Sequence, residues 1–237
     1  MSARESLRPD PIRFIEAAPR MIKKARAAAY SADTHRVYVG AAAAIQSQGK
    51  SNLRVIASAN HKPTGDYEVR KHCAETKLFE RARRATALGS RIIHGLVIAG
   101  PSERSVIESI TKVVTPTLHC CDVCLGAIDF YQQEGFLHID DDMPVLTTHA
   151  SVNKKQKSLD NVYQVHSIAE MRKLHVHGHG FVPDLSVGQL FDDPELKCLE
   201  LAHEVLLDMG PGIERARPAE VIRFALNTAG YELNLIS

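Results

Sequence analysis

The chain has 237 residues, of which 44% are hydrophobic and 24% are charged, and its formal net charge is +1. These values are ordinary for a globular protein that buries a substantial core. They argue against the strongly basic or acidic surfaces that bind nucleic acid, membranes or polyanionic substrates.

The N-terminal part of the sequence predicts a helix followed by a β-hairpin. No apolar segment typical of a signal peptide comes first, and no later apolar run is long enough to span a bilayer, so we expect a cytoplasmic protein. Residues 12–29 show helical periodicity, with Pro19 as a candidate kink. Residues 36–45 are predicted as a buried strand and residues 53–59 as its hairpin partner, joined by a turn at Gly49.

The middle of the sequence alternates between helical and strand patterns. The predicted elements are, in order, a helix over 73–88, a strand over 92–100, a helix over 121–133, strands over 143–149 and 162–167, and a short helix over 168–174. Gly89 and Gly135 are placed to end the two longer helices. This order predicts an α/β fold with a mixed central sheet that helices cover on both faces.

The last part of the sequence contains two amphipathic helical patterns, over 193–210 and 217–230, with Gly230 past the end of the second. Each apolar stripe needs a partner surface, so these helices either dock on the main domain or form a contact between subunits. We therefore divide the chain into a main domain, residues 1–185, and a C-terminal helical extension, residues 186–237.

The cysteines indicate a metal centre rather than a disulfide framework, because three of the five lie within five positions. Cys73, Cys121 and Cys124 stand at the starts of two predicted helices, where the helix N-terminus favours thiolate. Three thiolate ligands leave one tetrahedral position open, which is typical of catalytic zinc. Glu75, beside Cys73, is placed to move protons for a water molecule in that position.

These residues resemble the motifs of the zinc deaminases, a [His/Cys]-x-Glu element followed by Pro-Cys-x-x-Cys. The CAE of residues 73–75 and the CDVC of residues 121–124 are similar to the cytidine deaminase branch, in which the first ligand is cysteine. Residues 25–45 and 162–185 also resemble the opening segment and the C-terminal strand of that family. The resemblance covers roughly residues 20–185 and implies a three-layer cytidine deaminase-like sandwich.

The resemblance implies that Cys73, Cys121 and Cys124 bind zinc, while Glu75 carries a proton from water to the ring nitrogen and then to the leaving ammonia. It implies hydrolytic deamination of a cytosine-type ring in a small molecule, such as a cytidine- or deoxycytidine-like nucleoside. It also implies a homo-oligomer, a dimer or tetramer. We expect no nucleic-acid partner, because only 5% of the residues are aromatic and none is Trp.

The resemblance further implies that Asn60, Val37 and Ala74 contact the substrate, and a turn residue of its loop is the alternative for Asn60. Val37 stands where the family commonly has an aromatic residue, and Lys62 stands where it has an acid that grips the sugar. A modified nucleoside of the blasticidin kind, or another aminated heterocycle, therefore stays open as the substrate. A catalytically silent, zinc-stabilised binding protein is a further alternative.

The residues next to the cysteines leave the exact ligand set open. Cys120 stands where the family has proline and could replace Cys121 as a ligand, while His119 as a fourth ligand would close the site. Thr76 stands where the family commonly has arginine. Three thiolates leave a zinc site with net negative charge, which Thr76 or Lys77 could offset.

The segment HVHGHG, residues 175–180, raises the question of a second metal site. His175, His177 and His179 would share one face of an extended segment. The flanking glycines favour an irregular loop with solvated histidines instead. The resemblance implies that this region approaches the active site of a neighbouring subunit, where Phe181 or a nearby histidine could line the pocket.

Overall fold

A computed structural model describes residues 8–32, 39–61, 73–84, 90–100, 120, 122–148, 164–176, 194–210, 212–213 and 216–236. The strands in this part of the chain are β1 Gly40–Ser47, β2 Leu53–Ala59, β3 Arg91–Ala99, β4 Leu137–His138, β5 Pro144–Thr148 and β6 Gln164–Ser167. The helices are α1 Pro11–Tyr30, α2 Ala74–Arg84, α3 Asp122–Glu134, α4 Ile168–Val176, α5 Pro194–Asp208 and α6 Pro218–Ile236.

The helices and strands predicted from the sequence all have counterparts, and except at the end of the last helix the described ends shift by at most two residues. The predicted ends at 36–38, 85–88, 149 and 162–163 lie outside the described residues. Helix α1 continues through Pro19, so that residue does not break it. The prediction that the last helix ends before Gly230 is wrong, because α6 continues to Ile236. Strand β4 was not predicted, since two residues are too few to show a periodicity.

The strands form one mixed, open sheet in the order β2-β1-β3-β5-β6. Strand β1 is antiparallel to both β2 and β3, β3 is parallel to β5, and β5 is antiparallel to β6. The short strand β4 pairs in parallel with the start of β3, on the edge opposite β1. The predicted α/β class with a mixed central sheet is therefore confirmed.

Helices pack on both faces of this sheet, and alternate strand residues belong to two separate cores. Ala42 and Ala44 of β1 pack in a core with α1, α5 and α6. Ala41 and Ala43 pack in the opposite core with α2, α3 and α4. Strand β3 is buried along its whole length, as its continuous apolar sequence predicts.

The C-terminal helices α5 and α6 dock on the sheet and on α1. Of the two predicted partner surfaces for their apolar stripes, the structure shows the main domain. Cys198, Leu199 and Ile222 are buried in the core that these helices share with α1. The Arg223 guanidinium group also donates to the Val165 carbonyl group at 2.9 Å. The predicted boundary at residues 185 and 186 lies outside the described residues.

Helix α1 crosses β1 at very short range, and a glycine makes this crossing possible. A Cβ atom at Gly40 would lie 1.9 Å from the carbonyl oxygen of Ala25 and 2.6 Å from the nitrogen of Ala29. No side chain other than hydrogen fits in that space. The absence of a Cβ atom at Gly40 therefore allows the short distance between the helix and the sheet.

Helix α1 begins at a capped N-terminus. The Asp10 carboxylate accepts hydrogen bonds from the backbone N–H groups of Ile12 and Arg13, at 2.9 and 3.2 Å, and Pro11 is the first helical residue. Both features favour a helix start. Within the described ranges, no helix is both long enough and apolar enough to cross a membrane.

Candidate metal centre

The first predicted zinc ligand, Cys73, stands at the start of α2. The helix begins at Ala74, and the Cys73 carbonyl oxygen accepts the N–H of Lys77 at 3.2 Å, which is the first hydrogen bond of the helix. Glu75 is the second helical residue, and its side chain is only 6% exposed. The prediction that this motif opens a helix is therefore confirmed.

The second cysteine motif stands at the start of α3, which begins at Asp122, the residue after Cys121. Cys124 is the third residue of this helix and is fully buried. Cys120 is also fully buried, in the core between the helices and the sheet. Cys121, the predicted third ligand, lies outside the described residues.

The two motifs lie at the same end of a pair of parallel helices. Side-chain contacts between α2 and α3 include Thr76 with Cys124, Phe79 with Tyr131, and Arg83 with Glu134. The residue numbers rise together along both helices, so the helices run parallel and their N-termini lie side by side. The hydroxyl oxygen of Thr76 lies 3.8 Å from the sulfur of Cys124.

This parallel arrangement favours negative charge at the shared end of the two helices. Each helix N-terminus carries a partial positive charge from its unpaired N–H groups. The cysteine thiolates that bind metal are negative charges of the kind that such groups stabilise. The described residues thus combine the chemistry of zinc ligands, at Cys73 and Cys124, with the carboxylate of Glu75 in the first turn of α2.

The complete ligand set is a prediction that the described residues do not test. Within them, no group of three or more His, Cys, Asp or Glu side chains is placed to hold a metal ion. Cys121 is not among these residues, so this finding concerns only part of the predicted set. The thiols of Cys73 and Cys124 fit zinc by donor type and by their positions at neighbouring helix starts.

The predicted substrate contacts are placed only in part. Asn60 follows the end of β2, where its N–H donates to the Val39 carbonyl at 3.0 Å and its Oδ1 accepts the Val39 N–H at 2.9 Å. These two hydrogen bonds extend the pairing of the β1–β2 hairpin one residue beyond Gly40 and Ala59. Ala74 is fully buried in the core beneath α2. Val37 and Lys62 lie outside the described residues.

The hydroxyl group of Thr147, which was not predicted from the sequence as a site residue, is buried on the face of the sheet that α2 and α3 cover. Thr147 of β5 is 4% exposed, and it shares its strand face with Val145, which packs in the core with α2 and α3. The sequence feature that could have indicated this buried hydroxyl group is the pair of adjacent threonines at the end of an apolar strand. The strand register pairs Thr148 with Ala99, Ala99 with Gly40, and Gly40 with Ala59. The end of β5 therefore lies at the same end of the sheet as the end of β2.

The histidine-rich segment differs from its prediction at the one position that is described. His175 belongs to α4, which continues to Val176, so the prediction of a loop is wrong at this residue. His175 and Val176 come before Gly178, the first glycine of the segment, so the glycines do not interrupt the helix at these residues. His177, His179, His119 and Phe181 lie outside the described residues.

The chain was also compared with known proteins. No protein-family model and no curated protein matches it. The resemblance to cytidine deaminases therefore depends on the motif residues themselves and on the way the fold brings two of the motifs together.

Proposed function

We propose that the chain is a zinc-dependent hydrolytic deaminase that acts on a cytosine-type ring in a small molecule, with a cytidine- or deoxycytidine-like nucleoside as the first candidate. The observation that carries this proposal is the contact between Thr76 and Cys124. It joins two residues 48 positions apart and brings the Cys-Ala-Glu element against the Cys-x-x-Cys element. This contact supports a shared metal ion, because it brings the first turns of α2 and α3, which carry the predicted ligands, to one place.

In this proposal Cys73, Cys121 and Cys124 hold the zinc ion. When bound, zinc lowers the pKa of a water molecule towards neutrality and so supplies a nucleophile at physiological pH. The two helix N-termini stabilise the thiolates that the ion requires. We extend the proposal to the fold and assembly, a three-layer cytidine deaminase-like sandwich that forms a homo-oligomer.

Glu75 is the proton carrier of the proposed reaction. Its carboxylate takes a proton from the attacking water and gives it to the ring nitrogen beside the amino-bearing carbon. A second proton then passes to the amino group, the carbon–nitrogen bond breaks, and ammonia leaves as the ring gains a carbonyl oxygen. Its position in the first turn of α2 and its near-complete burial support this role, because bulk water does not compete for its protons.

An ammonia-release screen on zinc-loaded protein tests the proposal. The substrates are cytidine, deoxycytidine, cytosine, guanine-type bases and nucleoside antibiotics of the blasticidin kind. We expect ammonia from at least one of them, in equal amount to the substrate consumed. Glu75→Gln should lower that rate by about 10²–10⁴-fold and leave zinc bound, because it removes the proton carrier and no proposed ligand.

A matched control is available in the same helix. Glu80 is exposed and forms an ion pair with Arg84, so Glu80→Gln should leave the rate within about twofold of the unchanged protein. Two results would overturn the proposal. One is full zinc occupancy without ammonia from any substrate, which would favour the silent binding protein, and the other is a Glu75→Gln variant that keeps the full rate.

A further inference from the structure

We propose that Thr76 is a positioning residue of the metal centre, whose hydroxyl group donates a hydrogen bond to the thiolate of Cys124. This inference rests on the proposed zinc centre, and it deepens the account of how that centre is held. It assigns a role to a residue that stands where the resembling family commonly has arginine.

The direction of this hydrogen bond follows from the state of the sulfur. The Thr76 oxygen and the Cys124 sulfur are 3.8 Å apart, and with a neutral thiol either atom could be the donor. A thiolate that binds metal has lost its proton, so only the hydroxyl group can then donate. A hydrogen bond to a charged acceptor is also stronger than one between neutral groups.

The burial of Cys124 explains why such a donor is needed. Its side chain is fully buried, so water does not solvate the charge of its thiolate. A buried charge costs free energy unless hydrogen bonds or an opposite charge compensate it. The N-terminus of α3 provides part of this compensation, and Thr76 provides a second donor from the neighbouring helix.

Thr76 also lies between the two cysteine motifs. It follows Cys73 by three residues, so both lie on one side of the first turn of α2. A donor in this position holds the Cys124 sulfur in place relative to the turn that carries Cys73 and Glu75. Zinc with three thiolate ligands carries net negative charge, and a donor to one sulfur withdraws part of that charge.

The test compares Thr76→Val, which removes the hydroxyl group at nearly constant shape, with Thr76→Ser, which retains it. Zinc affinity is measured by competition with a chromophoric chelator, and Co²⁺ is used to record the thiolate-to-metal charge-transfer absorption. We expect Thr76→Val to weaken zinc binding about 10-fold or more and to shift the absorption band. Thr76→Ser should stay within about threefold of the unchanged protein.

A control threonine lies on α6, where the Thr228 hydroxyl donates to the Phe224 carbonyl at 3.0 Å on an exposed face. Thr228→Val should leave zinc affinity unchanged. If Thr76→Val does not fold, Thr76→Ala against Thr76→Ser makes the same comparison. Equal zinc affinity in the valine or alanine variant and the unchanged protein would overturn the proposal. Equal weakening in the serine variant would also do so, because the methyl group would then be responsible.

These outcomes are separate from those of the proposed function. Zinc binding that depends on the Thr76 hydroxyl, without ammonia from any substrate, would support Thr76 as a positioning residue and reject the deaminase. Ammonia release with zinc affinity that is insensitive to Thr76 would do the reverse. A chain that binds neither Zn²⁺ nor Co²⁺ would overturn both.

Discussion

His94 shows how a single buried residue can make stability depend on pH. Its side chain is 3% exposed in the middle of β3. The backbone N–H of Asp10 donates to its Nδ1 at 3.0 Å, and its Nε2 lies 2.7 Å from Oε1 of Gln46. Because Nδ1 accepts and Gln46 offers an oxygen, the neutral ring carries its proton on Nε2. A second proton would remove the acceptor for Asp10, which begins the cap of α1.

The pKa of His94 predicts the direction of the effect. Burial, helped by Arg13 and opposed by Asp10, lowers this pKa from 6.5 to about 4. The unfolded chain therefore binds this proton first, and stability is lost as the pH falls from about 6.5 to about 4. The shift corresponds to about 3 kcal/mol of unfolding free energy. Denaturant unfolding of chelator-treated protein at pH 7 and pH 4 measures it, with chelator present so that release of any bound metal ion does not contribute.

His94→Gln is the comparison for this measurement. Glutamine does not titrate, so the variant should be less stable than the unchanged protein at pH 7 but should lose about 3 kcal/mol less on going to pH 4. The same loss in both proteins would show that other groups, such as His138, whose pKa burial also lowers, control the acid response.

The sequence predicts the role of a residue more readily when that role depends on its neighbours in the chain than when it depends on contacts across the fold. The roles proposed for Cys73 and Glu75 follow from a helix start that the sequence predicts. The role of His94 could not be predicted, because its partner Asp10 lies 84 residues away and the surrounding apolar run suggests only a core position. The contact of Thr76 with Cys124 is of the same kind, since it depends on the packing of two helices.

At the scale of single elements, the contact of α1 with β1 depends on a glycine more than on any apolar side chain. The helix backbone approaches so closely that the space at Gly40 is occupied by the carbonyl oxygen of Ala25. The alanine-rich sequence of β1 fits the same requirement, because small side chains let the helices on both faces approach the sheet. Helix propensity alone would assign these alanines to a helix, and the sheet pairing overrides that preference.

Gly40→Ala should therefore destabilise the protein by about 3 kcal/mol or more, because the helix must move away from the strand to make room for a methyl group. Gly126 is the matched position, a helical glycine of α3 with open space where its Cβ atom would lie. Gly126→Ala should stabilise by about 0.5–1 kcal/mol. Denaturant unfolding of both variants measures the difference, and equal stability of the two would contradict this account of the α1–β1 contact.

At the scale of the whole molecule, hydrophobic periodicity predicted the elements and the α/β class because it is a local property of the sequence. It could not predict which helices share a face, since that depends on contacts between distant segments. The docking of α5 and α6 on α1 is the clearest case, because their apolar stripes were equally compatible with a contact between subunits. Within the described residues, the sheet has an edge at β2 with no neighbouring strand, and such edges can pair with other chains.

Cationic side chains from both faces of the sheet donate to carbonyl groups at and just before β2. Arg13 donates to the Ser51 carbonyl at 3.0 Å, Lys24 to the Val55 carbonyl at 2.8 Å, and Arg81 to the Ala57 carbonyl. The Val55 and Ala57 carbonyl groups lie two positions apart in β2, so they point to the same side, and the Ser51 carbonyl group lies just before the strand. Unoccupied, they would be acceptors for the edge strand of another molecule.

Replacing the three cations by methionine, which keeps the apolar length of the side chains, should therefore promote association through β2. We expect the triple variant, Arg13→Met with Lys24→Met and Arg81→Met, to scatter light and bind thioflavin T at concentrations where the unchanged protein does neither. A second triple variant, with methionine at the exposed residues Lys23, Lys173 and Lys197, changes the net charge equally and should stay dispersed. Equal aggregation of both variants would mean that loss of charge is sufficient. Aggregation of the first alone would assign the protection to the three side chains that occupy the carbonyl groups of β2.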